Sequence, residues 1–253
     1  MPKLITTNDK NSIVLPAGNS GYHFSAIRPE KLGATEYTLA TVVLDYTGSV
    51  SSFATELEQM LKTVLASCKR SPRANNLLVR VILFSSSFKG GTQELHGFKP
   101  LEEIDANTYV LPNPSGGTPL RDATYDSATA TNAYAKYLYD QDFLVNAIQV
   151  VVTDGDDNAS ATPANKIKTA FSEAVKSERL ESNIAILVAI NATQCQNELD
   201  TFFNGAGFDH FRDVTDATDK EIAKLANFIS NSVSSQSQSL GSGGPSQNIA
   251  PII

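Results

Sequence analysis

Cysteine is almost missing: Cys68 and Cys195 are the two thiols of a 253-residue chain. They form no metal-ligand spacing and no disulfide framework, which excludes zinc-finger and disulfide-stapled classes and predicts buried free thiols in two helices. Histidine is as sparse, with His23, His96 and His210 far apart. None pairs with an obvious nucleophile, so each is read as a surface or satisfied core residue rather than a catalyst. Long apolar runs are lacking too. No window approaches the roughly 20 apolar residues of a bilayer span, and the start, Met1-Pro2-Lys3-Leu4-Ile5-Thr6-Thr7-Asn8-Asp9, has no long apolar stretch of the signal-peptide kind. A cytoplasmic location without membrane attachment is the expectation. Cations are outnumbered, 20 Lys and Arg against 27 Asp and Glu, for a net charge of −7. That balance argues against a general nucleic-acid binder.

The chain does have enough apolar content, 41%, to bury a sizeable core, and it fits one large α/β domain better than two small ones. Continuous apolar β-rich runs predict strands at 37–45, 77–84, 145–153 and 183–190, with an edge strand at 208–213. Helical spacing predicts helices at 50–69, 118–139, 163–179, 198–204 and 219–233, and Gly90-Gly91 predicts a hairpin over 88–97. Strands alternating with helices specify a doubly wound, mostly parallel sheet with helices on both faces and one antiparallel edge hairpin. Residues 1–36 are read as an N-terminal extension holding one strand or clasp, Tyr22-His23-Phe24-Ser25-Ala26-Ile27. Residues 37–233 form the main domain. Residues 234–253 are read as a flexible Ser-, Gln- and Gly-rich tail ending in the apolar run Asn248-Ile249-Ala250-Pro251-Ile252-Ile253.

Three short segments carry the chemistry. Asp45-Tyr46-Thr47-Gly48-Ser49 and Thr153-Asp154-Gly155-Asp156 each follow a predicted buried strand, and Gly116-Gly117-Thr118-Pro119-Leu120 opens a predicted helix. Taken singly, each also reads as a turn or helix cap. Together they place two carboxylates and three hydroxyls at the carboxyl edge of a parallel sheet, where open α/β folds bind ligands. An all-oxygen donor set without Cys or His suits magnesium, with manganese or calcium as alternatives, and disfavours zinc. Two carboxylates nearly cancel a dication and leave it able to accept an anionic ligand from outside. Asp122 is expected to favour its helix's first turn, and Asp156 and Asp157 either solvate the loop or add to the negative field.

These segments resemble the von Willebrand factor A-type domain, whose metal-ion-dependent adhesion site reads Asp-x-Ser-x-Ser, then a distant Thr, then a distant Asp. The matching residues are Asp45, Thr47, Ser49, Thr118 and Asp154, with Thr47 standing where Ser is usual. The forms Gly-Gly-Thr-Pro-Leu-x-Asp-Ala and Thr-Asp-Gly-x-Asp-Asn are similar to those of bacterial and phage intracellular members. The resemblance covers roughly residues 37–233. It implies that Thr47 and Ser49 ligate the metal directly, Thr118 directly or through water, while Asp45 and Asp154 orient metal-bound waters. It also implies a binding or scaffolding module, not an enzyme, that captures an Asp or Glu of a protein partner.

Two other readings compete. A haloacid-dehalogenase-like phosphohydrolase would use Asp45 as nucleophile, with Asp154 and Asp157 on magnesium. Its acid/base position is Thr47, a hydroxyl that does not titrate near neutral pH. An exported adhesin or structural subunit would use the same metal site.

Overall fold

The computed structural model describes residues 10–18, 21–155 and 157–242. Eight strands form one sheet in the order β1-β2-β5-β4-β3-β6-β7-β8. They are β1 (Ser12–Ala17), β2 (Tyr22–Ile27), β3 (Glu36–Asp45), β4 (Leu77–Phe84), β5 (Thr92–Pro100), β6 (Leu144–Thr153), β7 (Asn183–Ile190) and β8 (His210–Val214). The helices are α1 (Ala54–Cys68), α2 (Leu120–Tyr139), α3 (Ala164–Lys176), α4 (Gln196–Ala206) and α5 (Asp219–Gly241). The mostly parallel, doubly wound α/β class expected from the sequence is the fold present.

β3 and β6 lie side by side at the centre, paired in parallel from Glu36 with Leu144 to Leu44 with Val152. Both are buried along nearly their whole length because helices cover both faces, which is why they read as unbroken apolar runs. One face carries Leu44, Val79, Val150 and Ile186 against α1 and the apolar half of α5. The other carries Val43, Ile82, Val151 and Leu187 against α2, α3 and α4.

Several expectations need correction. Residues 48–52 form a short 3-10 helix, so α1 begins at Ala54 rather than at Val50. The antiparallel hairpin is made by β4 and β5, not within residues 88–97, and a bulge interrupts its register between Val79 and Ile82. β1 and β2 are built into the sheet as a second antiparallel pair. Its inner strand meets β5 with Ala26 opposite Phe98. Gly97 permits that approach, since a Cβ there would stand 1.8 Å from the Ser25 carbonyl oxygen. A buried ion pair seals the seam: Arg80 Nε donates to Glu94 Oε1 at 2.7 Å, and Glu94 Oε2 accepts from Ser25 N and Oγ. The Arg80 guanidinium also bonds the Tyr22 hydroxyl and lies over the Tyr22, Phe24 and Phe98 rings.

The tail reading is corrected for residues 234–241. They continue α5, with Gln236, Ser237, Ser239 and Leu240 buried. A polar strip on the sheet makes this possible. Gln236 O accepts from Asn146 Nδ2 at 2.7 Å, and Gln236 Nε2 donates to Ser182 Oγ at 2.8 Å. Arg73 donates to Ser237 Oγ and pairs with Glu36. The apolar end 248–253 lies outside the described residues, as do residues 1–9. Cys68 is a buried free thiol, but Cys195 is half-buried and falls in a 3-10 turn just before α4. The hydroxyl-rich helix α2 is tightly packed, with Thr124, Ser127 and Thr131 fully buried.

Candidate metal centre

β3 ends on Asp45 and β6 on Thr153, so parallel pairing delivers both chain ends to one edge of the sheet. Asp45 is 1% exposed. Its Oδ1 accepts from Thr47 N at 3.0 Å and its Oδ2 from the Thr153 hydroxyl at 2.7 Å. The hydroxyls of Thr47 and Ser49 are 3.0 Å apart, and Ser49 Oγ donates to Asp154 Oδ1 at 2.8 Å. Four of the five candidate residues are therefore joined in one hydrogen-bonded group. Thr153, unassigned from the sequence, supports it from below.

Thr118 reaches the same edge through its loop rather than through its hydroxyl. Gly48 N donates to Gly116 O at 3.1 Å and Ser115 N to Tyr46 O at 3.3 Å, which seats the second segment against the first. Asn158 then grips Thr118 from both sides of its peptide unit. Asn158 Oδ1 accepts from Thr118 N at 2.7 Å, while Asn158 N donates to Thr118 O at 3.1 Å. A run of three serines after β4 holds the glycines. Ser86 Oγ accepts from Gly117 N at 2.7 Å, Ser85 Oγ bonds Ser115 O, and Ser85 and Ser87 share a hydroxyl contact of 2.9 Å. Gly116 has φ of +80°, and a Cβ there would meet Ser85 Oγ at 2.7 Å, so only glycine fits. Asn158 entered the sequence reading only as the last residue of the Thr-Asp-Gly-x-Asp-Asn form, with no role assigned, and Ser85-Ser86-Ser87 did not enter it. The serine run directly after an apolar strand is the local signal for the serines, and the Asn that closes the third segment is the signal for Asn158.

The acidic residues nearby divide in function. Asp157 Oδ2 accepts from Arg121 N at 2.7 Å and pairs with Arg121 Nε at 3.2 Å, while Oδ1 accepts from Ser160 N. These bonds outweigh its burial and hold its pKa below the usual range. Asp122 caps the following loop instead, accepting from Ala161 N and Thr162 N. Asp122 and Asp157 thus fasten the β6–α3 loop to the first turn of α2. Asp156 lies outside the described residues.

Electrostatics make the group a fit for a cation. Burial pushes Asp45 up to about 6 against the hydrogen bonds from Thr153 and Thr47, and burial also raises Asp154. Among the described residues neither carboxylate has an ion-pair partner. A buried carboxylate without a counter-charge is costly, and a bound cation removes that cost. No cluster of three His, Cys, Asp or Glu side chains suited to a metal occurs among the described residues. A cation held here would therefore draw on the hydroxyls as well: Ser49 Oγ gives its proton to Asp154, and a hydroxyl oxygen that donates keeps lone pairs free for a metal.

The histidines lie elsewhere. His96 is buried against the Tyr109 hydroxyl at 2.7 Å, and burial lowers its pKa to about 3. His23 bonds Gly21 O at the surface.

No protein-family model and no curated protein matches the chain by sequence. Solved structures match it by shape. The pilus adhesin SpaC from Lactobacillus rhamnosus GG, in its open conformation, superposes with a TM-score of 0.61 over 84% of this chain at 13% identity. Proximal thread matrix protein 1 from the mussel byssus superposes with a TM-score of 0.50 over 79% at 15% identity. The chain spans 32% of the adhesin and 47% of the byssal protein. At such identities the likeness is one of fold. It supports the von Willebrand factor A-like architecture that the sequence segments implied.

Proposed function

We propose that this chain is a metal-dependent protein-binding or scaffolding module that takes an Asp or Glu of a protein partner. The observation that carries the reading is the buried, uncompensated Asp45 carboxylate, linked through Thr47 and Ser49 to Asp154 at the carboxyl edge of the sheet. Thr47, Ser49 and Thr118 would offer neutral oxygen ligands, and Asp45 and Asp154 would supply charge and hold metal-bound waters. Magnesium, or manganese in its place, is the cation this donor set suits. When bound, it supplies an open position for a carboxylate from outside. The neutral hydroxyls leave the site's charge close to zero, so an incoming anion is not repelled at short range.

A binder rather than an enzyme is supported by Thr47 at the position where a phosphohydrolase needs a titrating acid. It is supported further by Asp157, whose oxygens are engaged by Arg121 and Ser160. A cytoplasmic place of action belongs to this proposal. The second form, an adhesin or structural subunit outside the cell, draws support from the pilus adhesin and the byssal thread protein among the fold neighbours, and it uses the same site. Among the described residues no helix is long and apolar enough to cross a membrane.

Fluorescence anisotropy with short labelled peptides bearing a single Asp or Glu tests the reading. Binding should require magnesium, vanish with chelator and fall when the acidic residue becomes its amide. Equal binding with and without chelator would refute it.

A further inference from the structure

The face of the sheet that α2 covers is not apolar throughout. Arg80, Thr41 and Gln149 stand side by side on β4, β3 and β6, because Thr41 is in register with both Arg80 and Gln149. Strand alternation puts all three on the α2 side, where they form a polar belt between two apolar clusters. Ile82, Val43 and Val151 lie on its carboxyl-edge side, and Leu78, Leu39 and Ala147 on the other. The belt is enclosed, with none of its three residues more than 1% exposed. α2 crosses it at a slant. Ser127 Oγ donates to Gln149 Oε1 on β6 at 2.9 Å, whereas Tyr134, further along the helix, donates its hydroxyl to Ile27 O on β2 at 2.8 Å and stacks on Phe98 of β5. Thr131 shares their helix face, four residues after Ser127 and three before Tyr134. Since β4 and β3 lie between β5 and β6, the Thr131 side chain falls over Arg80 and Thr41.

Three enclosed polar atoms of this region have no hydrogen-bond partner among the described residues: Arg80 Nη1, Thr41 Oγ1 and Thr131 Oγ1. The rest of the Arg80 guanidinium is satisfied, with Nε on Glu94 and Nη2 on the Tyr22 hydroxyl. Thr131 also differs from its neighbours on α2. Thr124 and Thr129 turn their hydroxyls back to the helix carbonyls of Leu120 and Tyr125, at 2.7 and 2.9 Å, and Thr131 does not. A buried polar atom left unpaired is costly, and three at neighbouring positions define a site for something that both accepts and donates. We propose that Arg80 Nη1, Thr41 Oγ1 and Thr131 Oγ1 hold one internal water molecule. The water accepts from Arg80 and exchanges hydrogen bonds with the two hydroxyls, and three partners are what an internal water ordinarily has. A halide is the poorer fit. Glu94 already balances the guanidinium at 2.7 Å, so an anion would bring an unanswered charge into an enclosed belt. The water adds a tie from α2 to β3 and β4 beside the direct bond of Ser127 to Gln149. That fixes the register of a helix whose buried residues around the belt, Ala123, Ala128, Ala130 and Ala135, are small and alike.

A high-resolution crystal structure of the whole chain, grown with bromide as the halide, tests the site directly. One water peak should lie within hydrogen-bond distance of all three atoms and give no anomalous bromide signal. An empty site, a bromide there, or Arg80 Nη1 paired directly with Asp126 or with either threonine overturns the assignment. Urea unfolding of Thr41→Val, Thr131→Val and the double variant tests it in solution, since valine keeps the shape and removes the hydroxyl. Each single change takes a partner from the water and should raise the unfolded-to-folded ratio about tenfold. Because both act on the same water, the double variant should raise the ratio by clearly less than the product of the two single effects. A single variant more stable than the wild type shows that its hydroxyl was unpaired and overturns the site. So does a double variant whose effect equals that product.

Discussion

Asp126 is a carboxylate on α2 that is 8% exposed and faces Arg80 of β4 and Tyr22 of β2. Burial pushes its pKa up to about 7, Arg80 pulls it down, and Asp122 one turn earlier pushes it up again. Arg80 is already committed to Glu94 and Tyr22, and no ion pair joins it to Asp126. The folded chain therefore holds a proton on Asp126 that the unfolded chain releases near pH 4. The sign follows from that difference. The contribution of Asp126 is most favourable below about pH 4, is lost progressively as the pH rises through about 7, and stays lost above it. The shift is about 3 units, and at about 1.36 kcal/mol per unit it sets a ceiling near 4 kcal/mol. Asp126→Asn keeps the shape and removes the titration. Its stability should match the wild type at pH 4 and exceed it at pH 8 by roughly 2–4 kcal/mol, read from urea unfolding of both proteins across that range. Other titrating groups are shared and cancel in the difference. A difference that does not change with pH, or a less stable Asn variant at pH 8, would refute the assignment of Asp126 as a buried, protonated acid.

Gly97→Ala should drive β2 from its place, because the new Cβ meets backbone at Ser25; a loss of about 2–4 kcal/mol in thermal or urea unfolding is expected, and a neutral result would contradict the tight seam. Truncation after Val233 should destabilise the chain, since Asn146 loses its acceptor on Gln236 and Ser182 its donor, at about 1–3 kcal/mol for each buried group left unpaired; an unchanged unfolding midpoint would restore the flexible-tail reading. Asn158→Ala should weaken magnesium binding by about 10–100-fold, as supporting residues of metal ligands do. Thermal unfolding in chelator should move far less, and an equal drop in both would make Asn158 merely structural.

The central strands were legible because burial on both faces writes a continuous apolar run between turn residues, and β4 and β7 have the very bounds that such runs gave. β1 was not. Pro16 and the half-buried alternation of residues 12–17 give no such run, and the strand exists because β2 is there to pair with it. The end of α5 was hidden for the opposite reason. Serine and glutamine read as a linker, yet here they face Asn146 and Ser182 on a polar strip that only the folded sheet creates. In the candidate site, Asp45, Thr47, Ser49 and Asp154 were legible because strand ends fix where they must lie. Asn158 and the 85–87 serines act across the fold on the backbone of the Thr118 loop, a role that no local pattern spells out.

Calorimetric titration of magnesium into the wild type, Ser49→Ala and Thr118→Ala tests the central claim most directly, with circular dichroism confirming that each variant is folded. One ion should bind the wild type and raise its thermal midpoint, because the cation stabilises only the folded state. Both variants should lose most of that affinity. A wild type that takes up no divalent cation, or variants that bind it as well as the wild type does, would contradict the account.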